Sequence, residues 1–176
     1  MMGQNRPSIL VTGGAGYVGA TFIRDALAKG YQVRCLDILI YGGKTLAGFL
    51  NNPNFELIKG DVRVKKDVEE ALENIDAVVI STPDHTHAVA GMMALSLGKP
   101  TRIQKPLART MWEVQQLMSA AEVAGVATQM GNQGHASDGL RGTIDYIKSG
   151  AIGDLVEGHV WTNRPIWRQG MAVPEK

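Results

Sequence analysis

The chain has 176 residues, of which 44% are hydrophobic and 21 are glycine, so it can bury one sizeable core with a small appendage. Its 18 basic and 17 acidic residues nearly cancel and form no run of like charge, which argues against a nucleic-acid or membrane surface. No apolar run approaches the ~20 residues of a membrane span, and residues 1–6 lack a signal-peptide core. With one cysteine, Cys35, and hence no internal disulfide, we expect a soluble protein of the reducing cytoplasm that acts on small molecules.

Short apolar runs alternate with stretches of helical periodicity from residue 8 to residue 130. The runs predict strands at 8–12, 31–36, 55–58, 76–80, 101–104 and 126–130. The periodic stretches predict helices at 17–29, 64–72, 85–97 and 110–121. Thr110 and Glu113 form a capping box, while Gly30 and Gly98 follow the ends of two helices. This alternation predicts an α/β Rossmann fold, with a doubly wound parallel sheet of strand order 3-2-1-4-5-6.

The residues after the sixth strand predict a short helix–strand appendage. The helix covers 137–149, with Leu140, Ile144 and Ile147 on one face. A further strand is predicted at 155–162, followed by an irregular tail at 163–176 that contains two prolines. We therefore divide the chain into a sheet domain at 1–134 and an appendage at 135–176. An apolar edge strand invites pairing with a second copy, so 155–162 is a candidate homodimer interface.

Glycines recur at 13, 16 and 19 between the first predicted strand and the first predicted helix. Gly13 permits the turn, Gly16 lets the backbone approach a pyrophosphate, and Gly19 allows the helix to pack closely on the sheet. The N-terminal turn of the helix, which includes Tyr17 and Val18, offers N–H groups and a dipole to the anion. The sequence therefore predicts a dinucleotide-binding site at these five residues.

Asp37 follows the second strand, about 20 residues after the glycines, where a carboxylate accepts hydrogen bonds from an adenosine ribose. A 2'-phosphate would be repelled there, and no arginine directly follows Asp37, because Arg34 lies earlier in the strand. The pattern favours NAD as the cofactor. The alternative interpretation is an ordinary glycine turn followed by a solvated aspartate.

Residues 9 to about 80 resemble the extended short-chain dehydrogenase/reductase family of nucleotide-sugar epimerases and dehydratases. The resemblance rests on the glycine turn and on the segments 36–43 and 60–63. It implies that Asp61 and Val62 flank the adenine, although the residue type alone would also allow Asp61 to cap a helix. That family needs a tyrosine and a lysine four residues apart for acid/base chemistry. None of the 4 tyrosines has such a lysine, so this chemistry is absent.

Residues 81 to about 170 resemble a different family, the Gfo/Idh/MocA sugar and polyol dehydrogenases. The resemblance rests on three motifs in their usual order: Ser81-Thr-Pro-Asp-His-Thr-His87, Gln104-Lys-Pro-Leu107 and Met130-Gly-Asn-Gln-Gly-His135. It implies that Thr82, Pro83 and His87 line the cofactor cleft. The two families meet near residues 76–82, within the fourth strand. A recombined or engineered chimera would have this sequence, and a natural fusion would look the same.

The same resemblance places Lys105, with Pro106 beside it, by the nicotinamide and the substrate hydroxyl. A cation there stabilises developing alkoxide as hydride leaves for the nicotinamide ring, which makes Lys105 the candidate catalytic residue. The sequence departs from the pattern, because Gln104 stands where the family has a glutamate. The family's acid/base histidine and most of its substrate contacts lie in a following domain, of which 135–176 would be only a truncated start.

Other polar and aromatic residues carry weaker signals. His85 and His87 suggest a metal, but no cysteine or carboxylate cluster completes a ligand set, so we predict no metal site. We predict that His135 is a neighbour of a helix cap and that His159 is an ordinary strand residue. Trp161 and Trp167 more often indicate packing or an interface than a cofactor stack.

Three functions are consistent with these patterns. The leading hypothesis is an NAD(H)-binding Rossmann domain of oxidoreductase ancestry with weak or no turnover, because the cofactor cleft is complete and the substrate site is not. The second is an NAD-dependent sugar or polyol dehydrogenase that uses Lys105. The third is a non-catalytic structural or oligomerisation module.

Overall fold

The computed structural model describes residues 6–161, and these fall into two compact units with a boundary between Asn132 and Gln133. The first unit contains a six-stranded parallel sheet. Its strands are β1 Ser8–Thr12, β2 Gln32–Asp37, β3 Phe55–Lys59, β4 Ala77–Ile80, β5 Thr101–Gln104 and β6 Thr128–Gly131. Their spatial order is 3-2-1-4-5-6, so the predicted Rossmann topology is confirmed.

Four α-helices of the first unit follow the predicted positions closely: α1 Tyr17–Ala28, α2 Lys65–Leu72, α3 His87–Ser96 and α4 Met111–Ala124. The predicted capping box opens α4, since the hydroxyl of Thr110 accepts from the N–H of Glu113 and the Glu113 carboxylate accepts in return. One further 3₁₀ helix, Lys44–Phe49, lies between β2 and β3. No helix in the described part of the chain is both long and apolar enough to cross a bilayer.

The start of α3 differs from its prediction at residue 85. A 3₁₀ turn, Asp84–Thr86, precedes the helix. The reason is local, because the carbonyl of Pro83 accepts from both the N–H and the hydroxyl of Thr86, which tightens the chain into a short turn. The α-helix therefore begins at His87, whose side chain is turned inward.

The sheet has an apolar core on each face, because successive side chains of a strand point to opposite faces. Leu10 of β1 and Ile80 of β4 belong to the core that α2, α3 and α4 cover. Val11 of β1 and Val79 of β4 belong to the core under α1. Strands buried on both faces need apolar residues throughout, which explains why they were recognisable as continuous runs.

The central strands end at one edge of the sheet, and backbone hydrogen bonds continue beyond them. The N–H of Gly13 donates to the carbonyl of Leu36, and the N–H of Ser81 donates to the carbonyl of Thr12. The segments after β1, β2 and β4 are thereby held side by side. This edge is where a doubly wound sheet places its ligands.

The second unit contains a 3₁₀ turn, Gly134–Ala136, and helix α5, Asp138–Lys148. The hydroxyl of Ser137 caps α5 by accepting from the N–H of Leu140, which confirms the predicted helix. No side chain of α5 is buried. His135 lies in the turn ahead of this helix.

The predicted strand at 155–162 is wrong for the residues that the structure describes. Residues 155–161 have no regular secondary structure, and Val156 and Val160 are fully or almost fully exposed. Alternating apolar residues form a strand only where a neighbouring strand accepts their backbone hydrogen bonds, and local sequence does not supply one. Residues 155–161 therefore provide no edge strand through which two copies could pair. His159 pairs with Glu157 at 3.0 Å, whereas Thr162, Trp167 and the tail lie outside the described residues.

Candidate dinucleotide-binding site

A cavity of about 350 Å³ opens at the carboxyl ends of β1, β2 and β4. Its lining residues are Gly13, Ala15, Gly16, Asp37, Ile38, Ile40, Tyr41, Gly42, Ser81, Thr82 and Pro83. It therefore brings together the glycine turn, the aspartate after β2 and the segment after β4. The cavity lies at the switch point of the sheet, since the chain runs from β1 to β2 on one side and crosses to β4 on the other.

Three glycines of the turn are required by the fold itself. Gly13 has φ +71°, and a Cβ there would lie 2.7 Å from the backbone of Ser81. A Cβ on Gly14 would collide with the sulfur of Cys35, and one on Gly19 would collide with the backbone of Gly13. Sequence reasoning passed over Gly14, because its contact is with a side chain on β2.

Gly16 is less crowded than Gly13, Gly14 and Gly19. A Cβ there would lie 3.2 Å from the carbonyl oxygen of Gly13, a tight contact that a small shift of the turn would relieve, and the residue is exposed at the cavity wall. The fold alone therefore disfavours a side chain at this position only moderately. A ligand lying against the backbone at Gly16 would explain why the position has no side chain.

The N-terminus of α1 has backbone donors to offer. The first hydrogen bond of the helix runs from the N–H of Ala20 to the carbonyl of Gly16, at 2.9 Å. The N–H groups of Tyr17, Val18 and Gly19 precede that bond and have no partner within the helix. Together with the helix dipole they form the kind of site that binds a phosphate. The side chain of Tyr17 is 89% exposed and does not line the cavity.

The carboxylate of Asp37 ties two segments of the site together. One oxygen accepts from the N–H of Ala15 at 2.9 Å, and the other accepts from the N–H of Leu39 at 2.8 Å. A carboxylate has about four acceptor positions, so Asp37 can still accept from a ribose hydroxyl. Asp37 thus fixes the glycine turn and presents negative charge at the cavity.

Arg34 is engaged away from the cavity. Its guanidinium lies 2.6 Å from the carboxylate of Glu56 and donates to the carbonyls of Ala71 and Glu73. The one arginine near Asp37 in sequence is therefore occupied in bracing the end of α2. This arrangement agrees with a site for an unphosphorylated ribose.

Asp61 and Val62 do not line the cavity. The side chain of Val62 is buried in the core, and the carboxylate of Asp61 binds the N–H and guanidinium of Arg63. The hydrogen bond from the Arg63 side chain lowers the pKa of Asp61. Helix α2 has Val64 as its N-cap residue, so the alternative reading of Asp61 as a helix cap is wrong.

The segment after β4 contributes Thr82 and Pro83 to the cavity, but His87 does not reach it. The ring of His87 is buried, with Nδ1 2.7 Å from the carbonyl oxygen of Pro106 and Nε2 2.8 Å from that of Thr82. Lys105 and Pro106 follow β5 in an exposed position and do not line the cavity. Thr82 and Pro83 therefore line the cavity, whereas His87, Lys105 and Pro106 lie outside its wall.

Gln104 is buried at the end of β5, and its side-chain oxygen has no hydrogen-bond partner among the described residues. It lies beside Gly131 of β6, where a Cβ would collide with that oxygen. A glutamate at this position would carry an ionised group into the same buried space, at a desolvation cost. The amide is easier to accommodate here than the family's usual carboxylate.

The cavity wall also includes residues that the sequence did not single out. Ile38, Ile40 and Tyr41 follow β2 and expose apolar side chains beside Asp37. Their segment belongs to the stretch 36–43 on which the first resemblance rests, and that stretch was the available signal. An apolar surface next to a ribose-binding carboxylate suits the face of an adenine ring.

Metal chemistry has no support among residues 6–161, where no three histidine, cysteine, aspartate or glutamate side chains come together to hold an ion. His85 is exposed and lies 3.8 Å from Asp84.

Burial raises the pKa of Cys35 to about 12, with a further contribution from the charge of Asp37, so the thiol stays protonated at neutral pH. It is a core residue and not a nucleophile.

Comparison with known proteins finds a family model that matches most of the chain and curated relatives that match shorter stretches of it. The model of the Gfo/Idh/MocA family, described as an oxidoreductase family with an NAD-binding Rossmann fold, matches residues 8–132. A dTDP-glucose 4,6-dehydratase of Xanthomonas campestris is 44% identical over 55 residues, which are 30% of this chain and 16% of that protein.

Solved structures with the same fold include dehydrogenases. The myo-inositol 2-dehydrogenase of Lactobacillus plantarum aligns with a TM-score of 0.71 and 19% identity over 86% of this chain and 43% of its own. The WlbA dehydrogenase of Thermus thermophilus, in complex with NAD and UDP-GlcNAcA, aligns with a TM-score of 0.68 and 20% identity over 81% and 47%. This chain spans less than half the length of each of these three relatives.

The sheet topology and the glycine turn define a dinucleotide-binding Rossmann domain. The family match covers most of the chain, and the chain therefore belongs to the Gfo/Idh/MocA oxidoreductase family, with residues 8–132 as its NAD-binding domain.

Proposed function

We propose that this chain binds NAD(H) in the cavity at the edge of the sheet and has weak or no turnover of its own. The observation that carries the proposal is the difference between two sets of residues. Gly13, Gly16 and Asp37 line one cavity, whereas Lys105 is exposed outside it. The shared cavity supports cofactor binding, and the position of Lys105 outside that cavity supports weak or no turnover.

The adenosine side has a specific assignment. The N–H groups ahead of the first bond of α1, with Gly16 beside them, would hold the pyrophosphate. The free acceptor positions of Asp37 would bind the ribose hydroxyls. Ile38 and Ile40 would contact the adenine through their exposed apolar surface.

A titration with NADH, followed by its fluorescence, tests this proposal. We expect saturable binding of NADH and much weaker binding of NADPH, because a 2'-phosphate would face the carboxylate of Asp37. Equal affinity for the two cofactors would contradict the assignment of Asp37. No saturable binding of either would contradict the function as a whole.

A second candidate function is an NAD-dependent sugar or polyol dehydrogenase, and membership of the oxidoreductase family favours it. When bound, NAD would accept hydride from a carbon that carries a hydroxyl group. The ammonium of Lys105 would stabilise the alkoxide that develops on that hydroxyl. Reduction of NAD with a panel of polyols, abolished in Lys105→Ala, would establish this function over simple binding.

We also propose that the chain joins segments from the two families that it resembles. The segments would join near residues 76–82, so the adenosine side would derive from an epimerase-like sequence and the remainder from the dehydrogenase family. Support comes from β4, which pairs with β1 on one side and β5 on the other and gives both segments a common strand. Residues 135–176 would then be the start of a substrate domain.

A further inference from the structure

The imidazole of His87 joins two loops that belong to different strands. Its Nδ1 lies 2.7 Å from the carbonyl oxygen of Pro106, after β5, and its Nε2 lies 2.8 Å from the carbonyl oxygen of Thr82, after β4. The side chain is 1% exposed. Both nitrogens of a rigid, buried ring therefore lie against carbonyl oxygens of separate segments, and a neutral imidazole, with its one N–H, donates to one of the two.

The two loops have unequal support from the rest of the fold. The 82–83 segment is held from one side by Gly13, which packs against it so closely that a Cβ would lie 2.7 Å from the N of Thr82. From the other side, Thr86 donates twice to the carbonyl of Pro83. Among the hydrogen bonds of residues 6–161, those of His87 are the ones that connect this segment to residues 105–106.

We propose that His87 is a positioning residue for the nicotinamide side of the site. It holds the Lys105–Pro106 segment at a fixed distance from Thr82 and Pro83 and does not touch the cofactor itself. The inference rests on the proposed NAD-binding function. It also predicts different effects on the two ends of the dinucleotide, because the glycine turn and Asp37 follow β1 and β2 and depend on other hydrogen bonds.

A substitution that keeps the ring and removes its nitrogens should expose this role. In His87→Phe both polar contacts of the ring are lost, and the carbonyl that accepts the N–H of His87 is left without its buried donor, so the loops should drift apart. We expect NADH affinity to fall about tenfold, whereas affinity for ADP-ribose, which lacks the nicotinamide, should change less than about twofold. The same substitution at the exposed His85 is the matched control and should affect neither ligand.

His87→Gln provides a second, milder variant. Its amide carries N–H donors on a flexible side chain, so it can satisfy a carbonyl but does not fix the distance between two loops as a rigid ring does, and its NADH affinity should lie between those of the wild type and His87→Phe. This partial rescue is not expected if His87 only fills space. If circular dichroism shows that His87→Phe does not fold, the test uses His87→Gln, in which NADH affinity should fall more than ADP-ribose affinity.

Two results would overturn the inference. One is a parallel loss of NADH and ADP-ribose binding, since that would indicate general damage to the domain. The other is unchanged binding of both ligands in a folded His87→Phe protein. A wild-type chain that binds ADP-ribose and NADH equally would also contradict it, whereas a wild-type chain that binds neither would overturn the proposed function on which the inference rests.

Discussion

The proposed adenosine side of the site, which lies at the cavity, and the proposed nicotinamide side, at residues 82–83 and 105–106, are built differently. On the adenosine side, Asp37 accepts from Ala15 and Leu39, and the N–H of Gly13 donates to the carbonyl of Leu36. The loops there are joined by a backbone–backbone bond as well as by a side-chain carboxylate. On the nicotinamide side, the connection passes through one buried side chain, and the candidate catalytic lysine stands exposed.

The difference indicates that cofactor binding and turnover have separate structural requirements. A single α/β unit supplies the N–H groups, the carboxylate and the apolar wall that a dinucleotide needs. Turnover also needs an acid/base group and substrate contacts beside the reacting carbon. Substitutions on the two sides should therefore have different consequences, and the following experiments test that contrast from the largest effect to the smallest.

The largest effect on stability should come from Gly14, because the backbone of the glycine turn packs there against core side chains. In Gly14→Val the new side chain would collide with Cys35 and with Ile23, so the free energy of unfolding should fall by about 3 kcal/mol or more. Urea denaturation measures this. Gly48→Val is the control, because a Cβ there meets nothing within 4 Å. Equal stability of the two variants would mean that the turn is not packed as described.

Asp37→Ala should weaken both binding and stability. It removes the acceptor of two backbone N–H groups and the carboxylate for the ribose, so NADH affinity should fall tenfold or more and unfolding should need about 1–3 kcal/mol less. The preference for NADH over NADPH should shrink as well. Asp25→Ala, which removes an exposed carboxylate paired with Arg24, is the control and should change neither quantity.

The thiol of Cys35 should make stability depend on pH in alkali. Its pKa rises from the ordinary value of 9.0 to about 12 in the folded chain, mainly through burial. Below pH 9 the thiol is protonated in both states, whereas above pH 9 only the unfolded state ionises, so the free energy of unfolding should decrease with rising pH. Urea melts at several pH values measure this, and Cys35→Ala should lack this part of the slope. An identical slope in both proteins would refute the assignment.

The smallest effect on binding should come from Lys105. Because its side chain is exposed and lies outside the cavity, Lys105→Ala should change NADH affinity by less than about twofold. Fluorescence titration beside Lys66→Ala, another exposed lysine, on α2, gives the comparison. A tenfold loss specific to Lys105→Ala would place that lysine at the cofactor and erase the distinction between the two sides.

Features that depend on local patterns were predictable from the sequence. The strand order followed from alternating apolar runs and helices, and the capping box at Thr110 and Glu113 needed only two residues three positions apart. Residues 155–161 show the opposite case, because a strand depends on a partner that periodicity cannot reveal.

The candidate site was predictable to a similar extent. Gly16 and Asp37 could be found because a helix start and a strand end fix their positions. The inward turn of His87 depends on where the carbonyls of Thr82 and Pro106 lie, and those belong to loops after two different strands. Ile38 and Ile40 gave no signal of their own, since exposed apolar residues beside a cavity are recognisable only in three dimensions.

The most direct test of the central claim compares NADH binding by the wild-type chain and by Gly16→Val. The claim is that the cavity holds a dinucleotide against the backbone at Gly16. We expect saturable binding by the wild type and a loss of at least about a hundredfold in the variant, which should remain folded by circular dichroism. Absence of saturable binding by the wild type, or equal binding by a folded Gly16→Val protein, would contradict the claim.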